Sequence, residues 1–161
     1  MNEMEYCNDL MVRMEELFYH ELSDCAPFKV ELVGVDFIQS REIKGSTVEE
    51  VIENCIREIK EARLAKEVNY SISGLGIKLE LRIKGCIHLP KEEKLRKHGV
   101  KPYICPLANM VLDQLIEKLG YETTYIASMD SDEKTGECAI WSAIYETEDQ
   151  IGKVSNWNEE E

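Results

Sequence analysis

Three observations predict an α+β fold with an antiparallel sheet built from hairpins and helices packed on it. Apolar residues recur at helical spacing in three segments, they alternate with polar residues in others, and turn-rich stretches separate paired runs. The helical and strand periods differ, so the two patterns can be told apart. Their order along the chain is α-β-α-ββ-α-ββ, and the grouping of strands in hairpins favours an antiparallel sheet.

The first predicted elements are an amphipathic helix over 4–22 and a strand over 28–43. After Pro27, Phe28, Val30 and Leu32 alternate with polar residues, which is typical of a half-buried strand. A methionine-rich helix face can line a pocket or a dimer surface, although it is core more often. The apolar face of the helix consists of Met4, Cys7, Leu10, Met11, Met14, Leu17 and Phe18.

The second predicted helix begins after Gly45 and is followed by a hairpin. Ser46 and Glu49 have the spacing of a capping box. The runs VNYSIS and IKLELRIKG, around Gly74 and Gly76, predict two antiparallel strands with one wet face. The buried stripe of the helix is predicted to be Val48, Val51, Ile52, Cys55, Ile56 and Ile59.

The third predicted helix follows a basic loop over 91–101. Pro106 suits a first helical position and Gly120 suits a helix end, with leucines at three- and four-residue steps between them. YETTYIASM and CAIWSAIYE, on either side of the turn-rich DSDEKTGE, predict a second hairpin.

Composition limits the classes of protein that this chain can represent. Its 161 residues suit one domain, which we place at 1–150, with an acidic tail over 151–161 that is too polar to pack. A formal net charge of -13 disfavours nucleic acid as a partner. No apolar run is long enough to span a membrane and the N-terminus is acidic rather than signal-like, so we expect a cytoplasmic protein.

The six cysteines fall into two groups by position. Cys7 and Cys55 lie on apolar helix faces and are expected in the core, and Cys25 has no evident partner. Cys86, Cys105 and Cys138 instead lie where predicted strands and helices begin or end. Because Cys105 directly precedes a helix, the partial positive charge of the helix N-terminus favours its thiolate.

These three cysteines are candidate zinc ligands. If the two hairpins share one sheet, the end of one strand and the start of an antiparallel neighbour meet at one edge, which brings Cys86 towards Cys138. A tetrahedral zinc site needs a fourth ligand, for which His88, Asp130, Asp132, Glu133 and water are the candidates. An alternative of equal weight is that the three cysteines are independent small residues at element ends. The reason is that the sequence contains no CxxC or HExxH motif.

Other catalytic and binding motifs are absent from the sequence. GLG at 74–76 lacks the spacing of a dinucleotide-binding loop, and there is no GxSxG nucleophile elbow. The acidic DSDEKTGE segment does not have the ligand spacing of a calcium-binding loop.

The segment KPYICPLANMVLDQLIEKLGYET, followed by GECAIWSAIYE, resembles the 4-vinyl reductase family of hydrocarbon-binding domains. The resemblance covers about 76–146. It implies a zinc site that includes Cys105 and Cys138, with Cys86 and His88 in place of the family's other ligands. It also implies a homodimer and an apolar pocket that binds a small apolar or aromatic ligand.

Three functional hypotheses follow. The leading one is a small-molecule-binding module with a structural zinc held by Cys86, His88, Cys105 and Cys138, acting as a sensor or regulator through a partner. The second is an enzyme that uses zinc or a Cys105 thiolate. The third is a metal-free interaction protein.

Overall fold

A computed structural model describes residues 2–22, 31–73, 78–121 and 123–145. Its elements are α1 (Glu3–Leu22), α2 (Val35–Gln39), α3 (Val48–Glu61), β1 (Glu67–Ser73), β2 (Lys78–Lys84), α4 (Leu89–Lys97), α5 (Pro106–Leu119), β3 (Thr123–Asp132) and β4 (Glu137–Tyr145). The predicted α+β class is therefore confirmed, and the predicted order of elements roughly matches. The hairpin centre at 74–77 and the tail over 151–161 lie outside the described residues.

The four strands form one antiparallel sheet in the order β1-β2-β4-β3. Strand β2 pairs with β4 from Lys78 opposite Ala143 to Lys84 opposite Glu137, so the two predicted hairpins do share one sheet. One face of the sheet, with Leu79, Leu81 and Ile83, joins the main core formed with α3 and α5. The opposite face carries Arg82, Lys84 and Glu137.

Helix α5 begins and ends where the sequence predicts. Cys105 is its N-cap, Pro106 is its first residue and Gly120 terminates it in the left-handed conformation, with φ of 71°. The N-cap of helix α3 lies one residue after Ser46, the first residue of the predicted capping box. Its N-cap is Thr47, whose side chain accepts a hydrogen bond from the Glu50 backbone N–H.

The predicted strand over 28–43 is wrong where the structure describes it. Residues 28–30 lie outside the described range, and Val35–Gln39 form the short helix α2. Val35 and Ile38 are three residues apart and both buried, because residues at this spacing share one side of a helix. In a strand the two side chains would point to opposite faces. Gly34, with φ of 91°, precedes the helix, and a Cβ there would lie 2.7 Å from Pro106 Cβ.

The predicted basic loop over 91–101 is also wrong in its first part, since Leu89–Lys97 form helix α4. Helix α1 packs on α4, where Val12, Leu95 and Val100 form a second, smaller core. Among the helices of the described residues, none is long and apolar enough to cross a membrane.

Candidate functional site

The structure brings Cys86, Cys105 and Cys138 into one cluster, which we call the thiol centre. Cys138 lies opposite Ile83 in the β2–β4 pairing, and Cys86 follows the end of β2 by two residues. The Gly85 backbone N–H donates to the Gly136 carbonyl at 3.2 Å, which holds the two strand ends together. Cys105 and Cys138 are buried members of the main core and Cys86 packs against it.

All three thiols are held in their neutral form. Burial is the main cause that raises the pKa of Cys86, Cys105 and Cys138 to about 12 each. Negative charge on one sulfur would also raise the pKa of another thiol: Cys138 has this effect on Cys86, Cys86 on Cys105, and Cys105 on Cys138. Each thiolate is therefore disfavoured by a second cysteine as well as by burial.

The expected Cys105 thiolate is therefore not favoured in the described fold. The Ala108 backbone N–H does donate to Cys105 Sγ at 3.4 Å, as the helix N-terminus predicts, and this contact lowers the thiol pKa. Burial outweighs it, because only 6% of Cys105 is exposed. A buried neutral thiol is a poor nucleophile, which weighs against the cysteine-dependent enzyme.

His88 lies beside the thiol centre as the N-cap of α4. Its backbone N–H donates to Cys86 Sγ at 3.4 Å. Its Nδ1 is buried and has no hydrogen-bond partner among the described residues. Burial, with a smaller effect of Lys91, lowers the pKa of His88 to about 4, so the imidazole is neutral at pH 7. A neutral imidazole with a free ring nitrogen has the donor chemistry that zinc uses.

The acidic candidates for a fourth ligand lie elsewhere. Asp130 and Asp132 pair with Ala139 and Glu137 on β4, so they face the opposite side of the sheet from Cys138. Asp130 forms an ion pair with Arg96 at 3.5 Å, and Asp132 accepts the Lys134 backbone N–H. Glu133 is exposed in the turn that follows. Of the candidates that the sequence suggested, His88 and water remain.

Sequence reasoning missed a buried charge cluster beside the thiol centre. Lys91 Nζ lies 2.6 Å from Glu15 Oε2 and 2.8 Å from Glu92 Oε1, and it donates to the Ile104 carbonyl at 2.9 Å. Burial opposes the charge of Lys91, but the two carboxylates outweigh it and raise its pKa. Burial raises the pKa of Glu92 despite the attraction of Lys91, and the Glu92 charge acts on all three thiols.

The sequence does contain a signal for this cluster, but only if the segment is a helix rather than a loop. In a helix, Lys91, Glu92 and Leu95 share one side, and all three are buried. The predicted basic loop over 91–101 did not include this shared side. The partner, Glu15, lies 76 residues away in the chain, and no local pattern relates the two.

The donors fit zinc in chemical type but not in arrangement. Three thiols and one neutral imidazole are a donor set that structural zinc sites use. Across the described residues, however, no group of three or more His, Cys, Asp or Glu side chains is placed so that it could hold a metal ion. Zinc binding would require the side chains of the thiol centre to turn towards a common point.

A separate groove lies on the outer face of the sheet. Its volume is about 400 Å³, and charged residues dominate it, including Arg82, Lys84, Asp132 and Glu137 beside Trp141. This groove is polar and open, unlike the apolar pocket that the family resemblance implies.

No protein-family model matches the sequence, and no curated protein matches it significantly. The resemblance to 4-vinyl reductase domains therefore remains a prediction from the quoted segments.

Proposed function

We propose that this chain is a small-molecule-binding module that contains a structural zinc site, and that it acts as a sensor or regulator through a partner. The zinc ligands in this proposal are Cys86, Cys105, Cys138 and His88. The proposal rests on two observations. The three thiols, from the segment after β2, the start of α5 and β4, act on one another's pKa. His88, whose backbone N–H contacts Cys86 Sγ, has a buried Nδ1 with no hydrogen-bond partner among the described residues.

A metal would explain two features of the thiol centre. A buried polar atom without a hydrogen bond is costly, and coordination would satisfy His88 Nδ1. Thiols whose pKa is raised to about 12 are inert without a metal, whereas zinc binds the thiolate and so releases their protons. Bound metal would tie β2, β4 and α5 together, and its binding energy would add to the stability of the fold.

The nature of the small molecule rests on the family resemblance alone. That resemblance implies an apolar or aromatic ligand and a homodimer, while the groove on the outer face of the sheet is polar. The metal is therefore the part of the proposal to test first, since its proposed ligands can be substituted one at a time.

The test is the metal content of protein purified without a histidine-rich tag, measured by elemental analysis with Cys105→Ser and Cys138→Ser variants alongside. We expect about one zinc per wild-type chain and a large loss in both variants. A chelator should lower the melting temperature of the wild type, because metal binding is coupled to folding. A His88→Ala variant with weakened zinc affinity would identify the fourth ligand, and unchanged affinity would favour water.

Two control variants separate metal loss from loss of a core thiol. Cys55→Ser removes a fully buried thiol on α3, and Cys7→Ser removes an exposed one on α1. Both should retain zinc. Wild-type protein that is folded, reduced and free of metal even after incubation with zinc would leave three core cysteines and contradict the proposal.

A further inference from the structure

Helix α1 is attached to the rest of the chain through two polar residues and Val12 rather than through its predicted apolar face. Its buried residues are Asn8, Val12 and Glu15. Glu15 accepts from Lys91 Nζ and from the backbone N–H groups of Tyr103 and Ile104, at 2.9 and 3.0 Å for the latter two. Asn8 Nδ2 donates to the Ile87 carbonyl at 3.1 Å.

The apolar face of α1 consequently faces outwards. We call this face the α1 stripe, and its exposed members recur at three- and four-residue steps over most of the helix. The five large side chains are each about half exposed, from 45% for Met4 to 55% for Tyr6. The exposed members are Met4, Tyr6, Cys7, Leu10, Met14 and Leu17. Of the seven residues of the predicted apolar face, Met11 and Phe18 are partly buried and the other five are exposed, so the expectation that this face is core is wrong for most of it.

An exposed stripe of this size indicates an interface. Five half-exposed large side chains present on the order of 500 Å² of apolar surface, near the upper end of what monomers show. A second α1 stripe laid against it would bury roughly 1,000 Å² in total, the least that a specific interface requires. The helix is about 30 Å long, so two copies can align over several turns.

The charges around the stripe suit a second copy better than a basic partner. The stripe itself contains no charged residue. The exposed Glu5 and Arg13 lie in the same part of the helix, and the acidic Glu3 and Glu21 lie beyond the ends of the stripe. Asp9 forms an ion pair with Lys94, and Glu16 forms one with Arg13 and lies 3.5 Å from His98 Nδ1. What remains is an apolar surface whose complement is another apolar surface of the same shape.

We infer that two copies of this chain pair through the α1 stripe. This inference rests on the homodimer of the proposed function and deepens it by naming the surface. It does not depend on the metal, because α1 contributes no ligand to the thiol centre. Two-fold pairing places the same stripe on both sides of the interface.

The test is the oligomeric state of the full chain, measured by sedimentation equilibrium over a range of concentrations and at low and high salt. We expect a wild-type dimer that Leu10→Glu and Met14→Glu each weaken by about 30-fold or more, since each places a charge in a desolvated apolar interface. Ile116→Glu is the matched control, because Ile116 is a similarly exposed apolar residue on α5, 42% exposed. It should leave the dimer intact.

Salt dependence tests whether apolar contact holds two acidic chains together. Two chains with a net charge of -13 repel each other, so added salt should strengthen the dimer. A monomeric wild type at high concentration and high salt would overturn the inference and direct attention to a different protein as occupant. A dimer that survives both stripe variants would overturn it too, by placing the interface elsewhere. Zinc content measured on the same samples keeps this result separate from the test of the metal site.

Discussion

Helices α1 and α5 have similar sequence patterns but opposite modes of attachment. Both carry apolar residues at three- and four-residue steps, and both were expected to bury that face. Helix α5 does so, with Leu107, Val111 and Leu115 almost fully buried against the sheet and α3. Helix α1 instead buries Asn8, Val12 and Glu15 and exposes most of its apolar face.

This difference teaches that periodicity locates a helix face without saying what covers it. A carboxylate that satisfies three buried donors can anchor a helix as firmly as apolar packing, provided that every partner is paired. The apolar face is then free for another surface. Substitutions in the two helices test how differently they are held.

The largest effect is expected from Glu15→Ala in the anchor of α1. It leaves the Tyr103 and Ile104 N–H groups without their acceptor and removes one of the two carboxylates that pair with Lys91. Breaking a buried ion pair in this way should lower the free energy of unfolding by about 3–5 kcal/mol, measured in urea. Glu21→Ala, an exposed acid on the same helix, should change it by about 0.5 kcal/mol or less. Equal effects of the two substitutions would mean that Glu15 does not anchor the helix.

A second comparison sets Leu115→Ala in α5 against Leu10→Ala in α1. Leu115 is fully buried, so its truncation should cost about 2–5 kcal/mol of unfolding free energy. Leu10 is 47% exposed, and at concentrations where the chain is monomeric its truncation should cost about 0.5 kcal/mol or less. A large effect of Leu10→Ala in the monomer would show that the α1 stripe is covered within one chain.

The smallest effect concerns the start of α3, where the sequence predicted the wrong cap by one residue. Thr47→Ala removes the acceptor of the Glu50 N–H and should cost about 1 kcal/mol of stability. Ser46→Ala removes a hydroxyl that donates to the exposed Glu50 carboxylate and should cost less. Thermal unfolding of both variants would check the order, and a larger loss for Ser46→Ala would restore the predicted capping box.

Local signals in the sequence were sufficient for much of the fold. The alternation in IKLELRIKG determines β2, and Pro106 with Gly120 delimits α5, because these residues restrict the backbone directly. The meeting of Cys86 and Cys138 followed from the same signals once the two hairpins were placed in one sheet. The zinc that these cysteines were predicted to bind remains a proposal.

Only the tertiary structure decided which surfaces those elements bury. Within the predicted strand over 28–43, a short helix, α2, follows Gly34. Glu15 pairs with Lys91, and the α1 stripe is exposed. The tertiary structure also surrounded the Cys105 thiol with apolar atoms, which reversed the expected effect of the helix N-terminus on its pKa. Burial and long-range pairing depend on residues far apart in the chain, whereas periodicity and capping act over a few neighbours. The sequence alone therefore determined where most helices and strands lie, and packing determined how each one is held.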